Sequence, residues 1–186
     1  MDKSELRRQI ADRVKALNPD YCRAADTAIC SHVTASSLYA RAKTLFCYVG
    51  TDREIDTAAL LRAALADGKV VALPLCTGKG IMEARQIRSM DDLVSGKFGI
   101  LAPGPHCPIV EPEALELAIV PCSTGNRRGQ RLGYGGGFYD RYLPRTDCPK
   151  MLLCRQLLVC EDIPLEEHDI PMDYLATEDG IFPCIP

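Results

Sequence analysis

Tryptophan is absent from the 186-residue chain, and aromatic residues make up only 6% of it. Aromatic platforms on which nucleic-acid bases stack are therefore sparse. The charges nearly cancel, with 22 basic and 25 acidic residues and a formal net charge of -3. The strongly basic surface of a nucleic-acid-binding domain is thus missing as well. These shortages exclude nucleic acid as a partner and leave room for a local basic pocket.

Long apolar segments are also missing. No run approaches the ~20 apolar residues that a membrane-spanning helix needs. Residues 1–5 open a charged amphipathic stretch and lack the apolar core of a secretion signal. Hydrophobic residues nevertheless make up 47% of the chain and charged residues 25%, which is ordinary globular usage. We therefore expect a soluble, cytoplasmic protein with no membrane partner.

The ten cysteines lack the spacing of a metal site, because no Cys-x-x-Cys pair occurs and the three histidines are scattered. Cys30, Cys47 and Cys154 lie inside apolar runs, where a reduced thiol acts as a small hydrophobic side chain. A disulfide framework is typical of short secreted chains. We therefore predict reduced, structural thiols.

Helical patterns alternate with short apolar runs. Leu6, Ile10 and Val14 recur at helical spacing and predict a helix over residues 3–17, and a second helix is expected over about 20–36. Asp56-Thr57 can cap a further helix that ends at Gly68. Strands are predicted at residues 45–49, 70–73 (ended by Pro74), 82–87, 117–120 and 151–154. The proline-rich residues 101–112 are predicted to form a loop.

The predicted strands carry no polar interleaving, which is typical of a sheet covered on both faces. No composition break or internal repeat divides the chain. The pattern predicts a three-layer α/β/α sandwich around a mostly parallel or mixed sheet, as a single domain over residues 1–186.

Five glycines fall within residues 129–137, between the strand at 117–120 and a short predicted helix at 138–143. Such a turn offers backbone N–H groups and a positive dipole end to an anion. Glycine permits the unusual φ angles and the close approach to phosphate that this needs. Arg127, Arg128 or Arg131 can supply a guanidinium. The segment is a candidate phosphate site, and the alternative is a glycine-rich surface turn.

The spacing matches neither common nucleotide-binding glycine motif, since no lysine follows the glycines and Phe138 replaces the last glycine of Gly-x-Gly-x-x-Gly. Asp140 follows the glycines and is either a Mg²⁺ ligand or a first-turn helix residue. The acidic run at 166–169 is expected to be solvated unless the fold brings Asp169 to Asp140.

Residues 129–140, Gly-Gln-Arg-Leu-Gly-Tyr-Gly-Gly-Gly-Phe-Tyr-Asp, resemble the signature of the 5-formyltetrahydrofolate cyclo-ligase family, also called 5,10-methenyltetrahydrofolate synthetases. Three shorter segments agree in order and rough spacing. They are the Lys-x-x-x-Arg at residues 3–7, Tyr48-Val49 followed by residues 54–57, and His168-Asp169. The similarity spans nearly the whole chain.

The resemblance implies an α/β sandwich that converts 5-formyltetrahydrofolate to 5,10-methenyltetrahydrofolate with Mg·ATP, releasing ADP and phosphate. It implies pterin contacts from Val49, Glu54, Tyr134 and Phe138, and Mg²⁺ bound by Asp140 and Asp169. It also implies ATP contacts from two segments: Lys3, Ser4, Glu5, Leu6, Arg7, Arg131, Leu132, Gly133, Tyr134, Gly135, Gly136, Gly137, Phe138 and Tyr139.

The implied reaction needs no protein nucleophile, and Arg131 is expected to stabilise charge during phosphoryl transfer. The expected partners are small molecules, with the protein a monomer or a weak homodimer. At residues 121–126 the chain reads Pro-Cys-Ser-Thr-Gly-Asn where the family usually has Pro-Gly-x-x-Phe-Asp. Two alternatives stay open: a non-catalytic relative that binds nucleotide or folate, and a sugar-phosphate enzyme on a similar scaffold.

Overall fold

The computed structural model describes residues 1–96 and 99–186. Its α-helices are α1 (Lys3–Ala16), α2 (Pro19–Thr34), α3 (Ser37–Arg41), α4 (Ala58–Ala66) and α5 (Phe138–Tyr142). Its strands are β1 (Thr44–Phe46), β2 (Val70–Gly78), β3 (Ile81–Ile87), β4 (Leu93–Ser95), β5 (Leu101–Pro103), β6 (Ile109–Val110), β7 (Leu117–Val120), β8 (Thr124–Gly125), β9 (Arg131–Leu132), β10 (Lys150–Leu153), β11 (Tyr174–Thr177) and β12 (Gly180–Pro183).

Eight strands form one mixed sheet in the order β12-β11-β10-β7-β1-β2-β3-β6. The middle five, from β11 to β2, run parallel to one another. The strands outside them, β12 on one side and β3 and β6 on the other, are antiparallel to their neighbours. Two small sheets, β4-β5 and β8-β9, lie apart from this one.

Alternate strand residues point to opposite faces of the large sheet, and residues on both faces are buried. Leu117 and Ile119 of β7 pack with buried residues of α2, α3 and α4 on one face. Ala118 and Val120 pack on the other face with Tyr142 of α5. The molecule is therefore a single α/β domain around a large mixed sheet, which confirms the predicted fold class.

The strongest local patterns identify their elements well. The helix predicted at 3–17 is α1, the strand at 117–120 is β7, and the strand at 82–87 is β3 with one more residue. The second helix ends earlier than predicted, at Thr34, because the Ser36 hydroxyl accepts the Tyr39 N–H at 3.2 Å and caps α3. At the start of α4, Asp56 accepts the Ala58 N–H at 2.9 Å.

The prediction that Pro74 ends the second strand is wrong, since β2 continues to Gly78 and Pro74 pairs with Ala84 of β3. The carbonyl of Ala72 accepts the Cys47 N–H at 3.0 Å and so points towards β1. Alternate residues direct their backbone groups to opposite sides, so the nitrogen of Pro74 also points to the β1 side. Strand β1 has ended there, and the missing N–H breaks no ladder bond.

The loop predicted at residues 101–112 is interrupted by two short strands, β5 and β6. Both are edge strands of two or three residues, a position in which proline is tolerated. Strands β8, β9, β11 and β12 were also not predicted, because segments of two to four residues carry little local pattern. Their pairing depends on distant partners rather than on a local pattern.

Five cysteines are buried with free thiols: Cys30, Cys47, Cys107, Cys148 and Cys154. Buried thiols in these positions pack as small apolar side chains. Over residues 1–96 and 99–186, no helix combines the length and apolar character needed to cross a bilayer.

Helix α4 stabilises the sheet face that it covers through Leu60, whose side chain is fully buried. Leu60→Ala should lower the free energy of unfolding by ~2–5 kcal/mol, because truncation leaves a cavity under the helix. Arg62→Ala, an exposed position on the same helix, should change it by less than about 0.5 kcal/mol. Urea denaturation of both variants tests this, and equal destabilisation would contradict the proposed packing.

Candidate active site

A cleft of about 650 Å³ lies where three distant parts of the chain meet. Its lining comes from residues 2–7 at the start of α1, from residues 131–140, and from residues 164–169. The second segment contains the glycine turn, and the third contains the acidic run. The fold therefore gathers into one place the segments that the sequence singled out separately.

A small apolar cluster holds these three segments together. Leu6 and Ile10 of α1 pack against Leu132 of β9 and against Ile163, which directly precedes the third segment. All four side chains are buried. Lys3 lies about one helical turn before Leu6, and Arg7 follows Leu6 directly. Arg131 and Gly133 lie on either side of Leu132 in the sequence. Burial of the apolar members therefore directs their polar neighbours into the cleft.

The glycine turn has the backbone conformation that requires glycine. Gly135 has a φ of 99° and Gly137 a φ of 70°, both in the left-handed region. Gly137 is the residue before α5. Arg7 donates from Nε to the Gly133 carbonyl at 2.8 Å, so α1 holds the start of the turn. The guanidinium of Arg7 thus lies against the turn, inside the cleft.

Arg131 is the buried cation of the cleft, with a side chain only 6% exposed. Its Nε donates to the Pro121 carbonyl at 2.8 Å, and its Nη1 lies 3.8 Å from Oδ1 of Asp140. The guanidinium also lies over the Tyr139 ring, 5.0 Å from its centroid. Because β9 and the carbonyl fix this side chain, its charge is pre-organised beside the glycine turn.

Lys3 forms ion pairs with the acidic run. Its Nζ lies 2.7 Å from both carboxylate oxygens of Asp169 and 2.8 Å from Oε2 of Glu166. Burial disfavours the charged amine, but the two carboxylates outweigh it, and the pKa of Lys3 lies above its ordinary value. Burial also opposes ionisation of Asp169, and the bond from Lys3 still holds the pKa of that carboxyl below its usual range.

The two predicted metal ligands, Asp140 and Asp169, are connected through one hydrogen bond to the backbone. Oδ1 of Asp140 accepts the N–H of Ile170, the residue after Asp169, at 3.4 Å. Donor atoms of Glu166, His168 and Asp169 also lie within 4.8 Å of one another. The carboxylate oxygens among these groups are the ligand type that Mg²⁺ prefers. The fold thus brings Asp169 towards Asp140. The acidic run was expected to be a solvated surface unless the fold did so.

Of the predicted pterin residues, Tyr134 and Phe138 line this cleft. Glu54 lines a separate small cavity together with Tyr48, Cys122 and Arg155. Burial raises the pKa of Glu54 above its usual range, against the opposing effects of the Thr51 N–H and the charge of Arg131. Tyr134 joins the two regions, since it lines the main cleft and its hydroxyl donates to the Cys122 carbonyl at 2.9 Å.

Besides Glu54, three predicted site residues in the described part of the chain lie outside the cleft lining. Leu6 belongs to the apolar cluster, and Glu5 is exposed and donates its backbone N–H to the Asp2 carboxylate at 2.8 Å. Val49 packs against the core on the helix-covered face of the sheet. Their ligand contacts stay predictions.

Five further residues that were not predicted as site residues also line the cleft: Asp2, Pro164, Leu165, Glu166 and His168. The charge run at 166–169 was visible, but its place depended on the fold. Asn126 was also missed. It is buried, accepts the N–H groups of Arg128 and Gln130, and donates to the Glu161 carbonyl at 2.9 Å. This buried amide links the entrance of the glycine segment to the segment before Ile163.

The similarity to known proteins extends over almost the entire chain. Residues 1–178 match the sequence model of the 5-formyltetrahydrofolate cyclo-ligase family. A Saccharomyces cerevisiae 5-formyltetrahydrofolate cyclo-ligase is 28% identical over 204 residues, with 96% of each chain covered. A Haemophilus influenzae protein of the same name is 30% identical over 138 residues, covering 71% of this chain and 74% of the relative.

Solved structures agree with the sequence comparisons. An Aquifex aeolicus 5,10-methenyltetrahydrofolate synthetase superimposes with a TM-score of 0.88 at 29% identity, covering 99% of this chain and 93% of the other. A Mycoplasma pneumoniae 5,10-methenyltetrahydrofolate synthetase has the same fold, with a TM-score of 0.79 at 20% identity and coverage of 96% and 99%. The chain belongs to the 5-formyltetrahydrofolate cyclo-ligase family.

Proposed function

We propose that the protein catalyses the ATP- and Mg²⁺-dependent cyclisation of 5-formyltetrahydrofolate to 5,10-methenyltetrahydrofolate, with release of ADP and phosphate. Family membership supports the cyclo-ligase activity. The observation that carries the nucleotide chemistry is the single cleft in which Lys3, Arg7 and Arg131 surround the glycine turn, with Asp140 and Asp169 at its acidic side.

The cations and backbone of this cleft suit a polyphosphate. Arg131 presents a fixed buried charge, and Arg7 is held against the turn by its bond to Gly133. Guanidinium groups bind phosphate oxygens through parallel N–H donors. Lys3 adds an ammonium group that pairs with Asp169 on the acidic side of the cleft. We assign ATP contacts to residues 3–7 and 131–139, with Arg131 stabilising the charge that develops on the transferred phosphoryl group.

The acidic wall fits a magnesium ion. Asp140 and Asp169 provide carboxylate oxygens next to the same cleft, and Mg²⁺ commonly combines one or two carboxylates with phosphate oxygens. When bound, the ion neutralises charge on the β- and γ-phosphates. We assign its protein ligands to Asp140 and Asp169. Asp140 also holds Arg131 and the Ile170 backbone, so one side chain orients both walls.

We assign the pterin to the part of the cleft lined by Tyr134 and Phe138, next to the small cavity that Glu54 lines. Glu54 offers a partly buried carboxylate to the ring N–H groups, and Tyr134 and Phe138 extend from the glycine turn. Val49 follows β1 in the chain and packs against the core. Tyr134 lines the cleft and donates to the carbonyl of Cys122, which lines the Glu54 cavity, so the two regions adjoin. A formyl group between them therefore faces the nucleotide side of the cleft.

The chemistry accounts for this pairing of sites. Ring closure requires N10 to attack the formyl carbon, but the formyl oxygen is a very poor leaving group. Transfer of the γ-phosphoryl group to that oxygen converts it to a phosphate ester. N10 then attacks the carbon, the C–O bond breaks, and the oxygen departs within inorganic phosphate. The protein contributes positioning and charge stabilisation, and it needs no nucleophile of its own.

We further propose that the functional unit is the whole domain, residues 1–186, acting in the cytoplasm on small-molecule partners as a monomer or weak homodimer. The cleft supports the first part, because it uses residues from both ends of the chain.

The purified protein should form the methenyl chromophore from 5-formyltetrahydrofolate only when Mg·ATP is present, with ADP released in step. Substrate carrying ¹⁸O in the formyl group should yield labelled inorganic phosphate, because that oxygen leaves with the phosphoryl group. Absorbance and mass spectrometry measure the two results.

The alternatives give different outcomes in this assay. Tight folate binding by calorimetry without turnover would identify a non-catalytic relative. Isomerisation of a sugar phosphate without nucleotide would favour another enzyme on this scaffold. Unlabelled phosphate with intact turnover would reject the phosphorylation of the formyl oxygen alone.

Asp140→Asn should reduce activity by at least about tenfold at limiting Mg²⁺, because a neutral amide is a weaker metal ligand. Excess Mg²⁺ should restore part of the loss, while the melting temperature changes little. Asp67→Asn provides a matched control, since Asp67 lies outside the cleft and accepts a bond from Tyr39 at 2.6 Å. Parallel losses of melting temperature and activity in Asp140→Asn would mark a structural role.

Arg131→Ala should weaken ATP binding by about tenfold or more, because a charge-assisted contact to phosphate is lost. Arg62→Ala is the control, because this exposed arginine lies on α4, which contributes no residue to the cleft lining. Calorimetry with ATP and Mg²⁺ compares the two. An unchanged ATP dissociation constant in Arg131→Ala would remove Arg131 from the nucleotide site.

A further inference from the structure

Asp26 of α2 and Arg155, which follows β10, form a buried ion pair across the core. Arg155 donates from Nε to Oδ1 of Asp26 at 2.7 Å and from Nη2 to Oδ2 at 2.9 Å. The Arg155 side chain is only 5% exposed and the Asp26 side chain 11%. A buried pair of this kind gains little net stability, because both charges lose their hydration. Its bidentate geometry does, however, fix both partners accurately.

Each member of the pair also bonds the loop that carries Glu54, and both bonds reach backbone groups on the C-terminal side of that residue. Nη2 of Arg155 donates to the Glu54 carbonyl at 3.0 Å. Oδ2 of Asp26 accepts the N–H of Asp56 at 3.0 Å. The ion pair therefore holds the backbone immediately after Glu54 at two points.

The Glu54 carboxylate depends on that backbone for its position. Oε1 of Glu54 accepts the Thr51 N–H at 3.0 Å, and the Glu54 N–H donates to the Thr51 carbonyl at 2.9 Å. Gly50 packs so closely against the Ile55 carbonyl that a Cβ on it would clash. These bonds make residues 50–56 one compact unit. A displacement of residues 54–56 therefore moves the carboxylate with the loop.

We propose that Asp26 and Arg155 are positioning residues for the folate substrate: their ion pair sets the location of the Glu54 carboxylate. The inference rests on the proposed function in that Glu54 faces the pterin. On this proposal, the ion pair determines where the pterin lies relative to the nucleotide cleft. Neither member of the pair is assigned a contact with ATP. Arg155 also lines the small cavity that Glu54 lines.

Arg155→Lys provides the test because it retains the charge beside Asp26 while removing the planar fork that also reaches Glu54. Tyr21→Phe is the matched control. The Tyr21 hydroxyl lies on α2, as Asp26 does, and bonds Glu178 and the Leu157 backbone next to Arg155. The control therefore loosens the same helix–turn contact and leaves the bonds to the Glu54 loop in place.

The KM for 5-formyltetrahydrofolate should rise about tenfold in Arg155→Lys, with the KM for ATP changed by less than about twofold. Amide hydrogen exchange at Glu54 and Asp56 should accelerate in this variant and not in Tyr21→Phe. Asp26→Asn, which removes the charge and retains an amide oxygen for Asp56, should have the same selective effect. A merely structural role would raise both KM values together or affect the control equally.

Equal effects on both substrates, or unchanged exchange in the loop, would overturn the positioning role. A wild-type protein that fails to turn over folate would overturn the proposed function, and the exchange comparison then decides the inference by itself. Faster exchange confined to residues 50–56 in Arg155→Lys would still support the positioning of Glu54 by the pair.

Discussion

The candidate active site depends on the burial of four apolar side chains, Leu6, Ile10, Leu132 and Ile163. These residues come from three parts of the chain, and each has a cleft residue as a neighbour or near neighbour in sequence. Removing apolar surface from water supplies the driving force, and the charged neighbours follow because the backbone is continuous. The cleft can therefore carry cations and carboxylates in close proximity without relying on their mutual attraction for its assembly.

The charges of the cleft and those behind the Glu54 loop serve different purposes. Lys3 and Asp169 are partly accessible and line the cleft, so their pairing can give way to ligands. Asp26 and Arg155 are buried and bond the backbone, an arrangement suited to holding a loop in place. A ligand in the cleft can compete for the first pair, whereas neither member of the second lines that cleft. Contact with the cleft, and not exposure, separates the proposed binding groups from the supporting ones, because Asp169 and Asp26 are both 11% exposed.

The sequence predicts this protein best where the physical signal is local. Strand β7 and helix α1 follow from apolar periodicity, and the glycine segment follows from its composition. Pro74 was misjudged because its effect depends on where β1 ends. The place of Asp169, the role of Asn126 and the Asp26–Arg155 pair depend on contacts between residues far apart in the chain. Such contacts follow from the tertiary fold, and no local pattern in a single sequence reveals them.

Lys3 and Asp169 are separated by 166 positions, yet their side chains touch. A contact of this range forms only after the entropy of closing nearly the whole chain has been overcome. During synthesis on the ribosome, α1 emerges long before residues 166–169, so the Lys3 side chain has no carboxylate partner until those residues are made. Strand β11 of the large sheet is made later still, and the candidate site and the sheet are therefore completed together.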